Sequence, residues 1–427
     1  MTIAGEESYF ARIIPDELPS EWRRSQLSNI CTFQSGKTLA TSDRKNGEIP
    51  VYGSNGEVGT HNESITGSPT IVIGRKGSAG AVNFSDEAVF VIDTAYYVDS
   101  RWTTANLRWL YYLLISLQLE DQAEHSAIPG INRKMIGSHI VPIPPIQTQN
   151  RIANYLDSQV SQIEDLIQNH RTLRDTLEEK RQAVISHYVT KGVSENTIKK
   201  GAKLSWLESI PSHWEIIDLK YLAEVQTGIA KGKTRESDEL EAVPYLRVEN
   251  VQEGFLDLSE VKELELTQKE IEQYSLQEGD VLMNEGGDYD KLGRGTVWKE
   301  ELKPCVHQNH VFAIRPNDRE DAEWISKLTE SSYLKHYFMI SAKQTTNLAS
   351  ISASNIKSAP LIWPPKDERE QILEQIQRTT SKIEDTKGNI SKEINLLKDR
   401  KQSLIRNIIT GQIEINESDN HENEVAL

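Results

Sequence analysis

The chain has 427 residues, 37% of them hydrophobic, with 8 Trp and 14 Tyr, enough for two domains or more with real cores, which excludes wholesale disorder. No apolar run approaches a membrane span, and the opening MTIAGEESY lacks the basic start and apolar core of a signal peptide, so a cytoplasmic protein with no membrane partner is expected. A net charge of −16 argues against nucleic acid, but binding uses one face, and residues 414–427 (EINESDNHENEVAL) carry five acids with no Lys or Arg, as a solvated, disordered tail would.

The tetrapeptide PSEW at Pro19–Trp22 returns as PSHW at Pro211–Trp214. The same spacing carries Leu27 onto Leu219, Gln34 onto Gln226 and Gly36 onto Gly228. The first middle segment reads as short strands and turns: IPVYGSNGEVG with a turn at Ser54-Asn55-Gly56, TIVIGRKGSAGAVNF, and AVFVIDTAYYV. LRWLYYLLISL then reads as a short buried helix. SGKT at Ser35–Thr38 imitates a phosphate-binding loop, but Cys31 stands where the leading Gly belongs, so a polar turn is the better reading.

From Gln147 to Tyr188 there is neither Pro nor Gly. Ile152, Leu156, Ile163, Leu166, Leu173, Leu177 and Val184 form a 4,3 ladder with Gln159, His170 and Lys180 on its other rungs. This predicts a long coiled-coil helix. The second middle segment gives VPYLRVENVQEGFLDL, GDVLMNEGGD, LGRGTVW and CVHQNHVFAIRP, again short strands and Gly-rich loops. GIAKGKT at Gly228–Thr234 is one residue short of a phosphate loop. Cys305, His307 and His310 do not make a zinc site, because the two His sit at odd spacing on a predicted strand and no fourth ligand is near.

A second ladder follows at Ile372, Ile376, Ile383, Ile390, Leu397 and Leu404, with Thr379, Thr386, Glu393 and Arg400 between. The spacing that carries Pro144-Pro145 onto Pro364-Pro365 also carries Ile152 onto Ile372 and Thr190 onto Thr410. Both Pro pairs read as rigid starts of helices rather than as a methyltransferase motif. The chain is therefore one unit written twice, its ends alike and its middles different. The expected fold is α+β: two loop-rich domains, each followed by a long helix, the helices pairing antiparallel as a coiled coil. The expected bounds are 1–146 and 193–365 for the domains, 147–192 and 366–412 for the helices, and 413–427 for the tail.

This arrangement resembles the specificity (S) subunit of Type I restriction–modification enzymes. IPVYGSNGEVG, TIVIGRKGSAGAVNF and FVIDTAYYV look like one class of its target recognition domain. PYLRVENVQEGFLDL, LQEGDVLMNEGGDYDKLGRG and HQNHVFAIR look like another. The resemblance implies that each recognition domain reads one half-site of a split, asymmetric double-stranded DNA target. It implies that the helices space the half-sites and dock two methyltransferase (modification) subunits, with restriction subunits as further partners. It implies no catalytic residue, metal or cofactor in this chain, with S-adenosylmethionine, ATP and magnesium used by the partner subunits. The competing readings are a free-standing DNA methyltransferase or endonuclease, and a coiled-coil adaptor that does not bind DNA.

Recognition needs polar side chains carried on loops into a groove, with Lys and Arg on phosphates. The candidates are the local basic exceptions in an acidic chain. In the first domain they are Ser54 and Asn55, then Arg75, Lys76 and Ser78 of GRKGSAG, then Arg133 and Lys134. In the second they are Lys231, Lys233 and Arg235 of AKGKTR, Lys291 and Arg294 around LGRG, and Lys343, Gln344 and Asn347 of AKQTTN.

Overall fold

The computed structural model describes residues 14–122, 130–194, 197–230, 239–287, 292–344 and 349–415. The chain forms two compact units, Met1–His170 with Ser391–Leu427, and Arg171–Ile390. Both long helices, Ile146–Lys191 and Lys366–Ile409, run through both units. Among the described residues no helix is long and apolar enough to cross a membrane.

In the first unit four antiparallel strands lie in the order Gln34–Ser35, Ala95–Asp99, Thr70–Gly74, Val82–Ser85. Alternation along them serves two cores. Ile71, Ile73, Tyr96 and Val98 face Trp109, Leu110, Leu113 and Leu114, mostly from the helix Leu107–Ser116. Val72 and Tyr97 face the other way, toward Val89 and Val91. That side is covered by a second sheet, Gly56–His61, Ile49–Gly53 and Phe90–Val91, whose last pair is parallel. Asn106 caps the helix by accepting from the Trp109 N–H at 2.8 Å. Asp157 on the first long helix accepts from Arg108 and Tyr112, both at 2.6 Å, and so seats the domain on that helix.

The second unit repeats these two sheets in the same strand order. Its four-stranded order is Ala223–Thr227, Val311–Pro316, Val281–Asn284, Gly295–Val297. Its three-stranded sheet is Lys262–Leu266, Glu241–Leu246 and Val306–His307, again with the last pair parallel. The repeated Gly has one cause in both copies. A Cβ on Gly36 would lie 2.1 Å from the Ile92 carbonyl oxygen, and one on Gly228 2.0 Å from that of His307. The backbones cross too closely for a side chain.

The repeated Trp also has a packing role. Gly192 and Gly411 end the two long helices with φ of +77° and +75°. Trp214 lies on Gly192, where an added Cβ would be 3.1 Å from the ring. Trp22 and Pro19 lie on Gly411, at 3.3 Å and 3.0 Å by the same measure. Each PSxW phrase is thus the seat for a helix end. The second helix returns the chain to the phrase that opened it.

The helices pair antiparallel. In the first unit Ile152, Leu156 and Val160 share a core with Ile405, Ile408 and Ile409, and His170 meets Glu393 at 2.9 Å. In the second, Ile185 and Val189 share a core with Ile372 and Ile376, and Gln375 donates to the Tyr188 hydroxyl at 3.2 Å. The seam differs from the ladder expected for the first helix. Leu166 and Leu173 are 42% and 49% exposed, and Lys180 is exposed. Ile152, Leu156 and Ile163 are buried as expected, but Val160, Ile167, Arg181, Ile185 and Val189 are buried in place of other rungs. In the second helix Arg400 is exposed, while Ile394, Ile405 and Ile408 are buried beside the expected Ile383 and Ile390. A strict heptad slips by about 20° per repeat on a straight helix, so the buried line leaves the 4,3 ladder and takes more steps of four.

Candidate nucleic-acid interface

In the first domain the loop after the strand Thr70–Gly74 folds back on itself. Gly80 N–H donates to Gly74 at 2.8 Å and Ala79 N–H to Gly77 at 2.8 Å. Gly77 and Gly80 take φ of +78° and +90°, which glycine alone adopts at no steric cost. A Cβ on Gly74 would meet the carbonyl oxygens of Ser78 at 2.0 Å and Ser54 at 2.6 Å, and one on Gly77 would lie 3.8 Å from Ser54 Oγ. The Ser54–Asn55 turn therefore lies against the GRKGSAG loop. The Arg75 backbone is held on both sides: its N–H donates to Thr94 O at 2.8 Å, and its carbonyl accepts from Ile131 N–H at 3.1 Å. That second bond brings in Arg133, one residue past Asn132, whose side chain caps the short helix Arg133–Gly137. The guanidinium groups of Arg75 and Arg133 lie 5.6 and 5.7 Å from the centre of the buried Tyr96 ring, within cation–π range. Arg133 also donates to Phe33 O at 3.2 Å. Ser54, Asn55, Arg75, Lys76, Ser78 and Arg133 thus share one corner. Asn55, Lys76, Ser78, Arg133 and Lys134 are exposed, while Ser54 and Arg75 are half-buried.

The second domain has the same corner. Glu285 N–H donates to His310 O at 2.9 Å, and Glu285 O accepts from Ile351 N–H at 2.8 Å. These are the bonds that hold Arg75. Asn284 replaces Gly74, and its amide donates to Val248 O at 3.1 Å and Val251 O at 2.8 Å. Arg294, half-buried, stands at the far side of the loop, where its carbonyl accepts from Asn284 N–H at 3.0 Å. Lys343 is exposed on the short strand Lys343–Gln344, which pairs with Ala349–Ser350, itself paired with Gly286–Gly287. Arg294 and Lys343 are therefore brought to the same corner. Lys231, Lys233, Arg235, Lys291 and Asn347 lie outside the described residues, and of Gln344 only the backbone is described.

The sequence marks neither Glu285 nor Asn309 as a DNA-reading residue, and His310 entered there only as a rejected metal ligand. His310 Nδ1 lies 2.5 Å from Glu285 Oε2, and Asn309 Nδ2 lies 3.3 Å from His310 Nε2. The available signal was the position of NEGGD, which follows its strand as GRKGSAG follows the first, hidden by the opposite charge. His307 is unlike its neighbour. It is fully buried, donates from Nδ1 to Val311 O at 2.6 Å, and is pushed down to about 4 by desolvation. Burial pushes the thiols of Cys31 and Cys305 up to about 12. Among the described residues no cluster of His, Cys, Asp or Glu could hold a metal ion.

The family described as "Type I restriction modification DNA specificity domain" matches residues 19–186 and 211–396. Both matches open at a PSxW phrase. The chain is 25% identical over 282 residues to the Type I restriction enzyme EcoKI specificity subunit of Escherichia coli (strain K12), covering 64% of this chain and 57% of that protein. It is 25% identical over 317 residues to the Type I restriction enzyme MjaVIII specificity subunit of Methanocaldococcus jannaschii, covering 71% and 70%. The chain spans about half the length of the first curated relatives it matches. A chain from a structure on complex assembly and conformational transition of the type I R-M system shares the fold, with a TM-score of 0.60, 14% identity and coverage of 93% of this chain and 100% of that one.

Proposed function

From the premise that this chain belongs to the Type I restriction modification DNA specificity family, we propose that it reads a split, asymmetric double-stranded DNA target, one half-site per domain. The observation that carries this is the pair of loop corners. Their backbone bonds recur in both domains, while the side chains they present differ. A framework kept constant with its displayed groups changed is what two readers of unlike sequences require. The first domain presents Arg75, Lys76 and Arg133 for phosphate and base edges. The second presents Arg294 and Lys343.

The paired long helices, which run through both units, are in this reading the platform for two methyltransferase subunits and for restriction subunits. The chain itself supplies specificity and no chemistry. Methyl transfer from S-adenosylmethionine, and the steps that use ATP and magnesium, belong to those partners. Exchanging residues 19–142 for the matching segment of a relative tests the proposal, with methylated sites read across the host genome. One half-site changes and the other stays. A change in both half-sites, or in neither, overturns the two-reader reading.

A further inference from the structure

The strand registers make the two domains comparable residue by residue. Gly74 pairs with Ala95 as Asn284 pairs with Val311. Arg75 therefore corresponds to Glu285, Thr94 to His310, and Asp93 to Asn309. The inward neighbours keep their character: Ile73 becomes Met283 and Tyr96 becomes Phe312, all buried. The outward position reverses its chemistry. A five-donor guanidinium in one domain stands where the other has a carboxylate, which only accepts.

The Glu285 side chain is not what holds its corner. Its backbone does that, through His310 O and Ile351 N–H. Its carboxylate meets the His310 ring in a pair whose side chains are 30% and 55% exposed. Exposed pairs of this kind contribute little to stability. The imidazole, itself beside Asn309, instead limits where the carboxylate can point.

We propose that Glu285, oriented by His310, is the base-reading acceptor of the second domain and takes the exocyclic amino group of a cytosine, at the position where the first domain directs Arg75 to a guanine. This rests on the DNA-reading function proposed above and adds the base and the residue. A carboxylate accepting from the cytosine N4 amino group, and a guanidinium donating to guanine O6 and N7, are the pairings that major-groove geometry allows for these groups.

The test uses the chain assembled with its methyltransferase subunits and a DNA library randomised in each half-site separately. Glu285→Gln keeps the shape of the side chain, and its preference for cytosine at one base pair of the second half-site falls about tenfold. Glu285→Arg moves that preference to guanine. Arg75→Gln relaxes one base pair of the first half-site only. Unchanged second half-sites in both Glu285 variants would overturn the assignment while leaving the two-reader function intact. So would an equal loss of binding to every sequence by a variant whose melting curve matches the parent. A parent complex with no sequence preference in either half-site would instead sink the proposed function, and this assignment with it.

Discussion

His307 sits at the register position that Val91 fills in the first domain. Since a carbonyl can only accept, Nδ1 carries the proton in its bond to Val311 O, and Nε2 is a buried nitrogen without a hydrogen-bond partner. Burial pushes its titration down from the usual imidazole range to about 4. The unfolded chain therefore takes up the proton first. The stability held by neutral His307 is complete above about pH 6.5 and is lost as pH falls toward 4, by roughly 2 kcal/mol at pH 5. His307→Val installs the side chain of the first domain and removes the titrating group. The expected outcome is a urea-unfolding free energy that falls by about 2 kcal/mol less than the parent's between pH 7 and pH 5. Equal acid losses in the two proteins would show that His307 does not titrate as described.

At the scale of elements, Arg181 ties the first long helix to the second domain. It reaches Glu330, which is 1% exposed, at 2.6 Å, and Glu178 and Glu384 at 3.0 and 3.3 Å. Lys327 meets Glu330 at 2.5 Å, and Lys335 meets Glu253 at 2.5 Å. These carboxylates raise the Arg181 pKa despite its burial. Removing Arg181 leaves the buried Glu330 with Lys327 as its counter-charge. Arg181→Leu is expected to destabilise the protein by up to about 3 kcal/mol, less than an uncompensated buried charge would cost, with part recovered in Arg181→Leu with Glu330→Leu. A double-mutant cycle in urea measures the coupling, and additive losses would refute it. The heptad ladder pointed to the adjacent Lys180, which is exposed. Periodicity finds that a helix is long and amphipathic, but a drift of a few tens of degrees decides which of two neighbouring residues is buried.

For the molecule as a whole, the charge of −16 is compatible with the proposed DNA-reading role if the cations at the corners meet the phosphates. Lys76 and Lys343 are both exposed there. In the assembled complex, Lys76→Ala and Lys343→Ala should each weaken binding to every sequence and lower the salt slope by roughly one. Binding across a salt series checks this, and unchanged slopes in both variants would place the phosphate-contacting surface elsewhere on the domains.

By itself the sequence determined the duplication, with Gly36 repeated as Gly228, the α+β class and the two long helices, because these are carried by repeats and periods. That the backbones cross at those glycines was decided by tertiary contacts with Ile92 and His307. The sequence also marked Arg75 and Arg133 as cations, though not that both lie over Tyr96. The seats of Trp22 and Trp214 on Gly411 and Gly192, the buried face of each helix and the equivalence of Arg75 with Glu285 were decided by tertiary structure alone. Trp22 and Gly411 lie near opposite ends of the chain, and no local pattern encodes their meeting. Arg75 and Glu285 share no chemistry, so only the hydrogen bonds of their backbones, set by long-range strand pairing, reveal that they hold the same place.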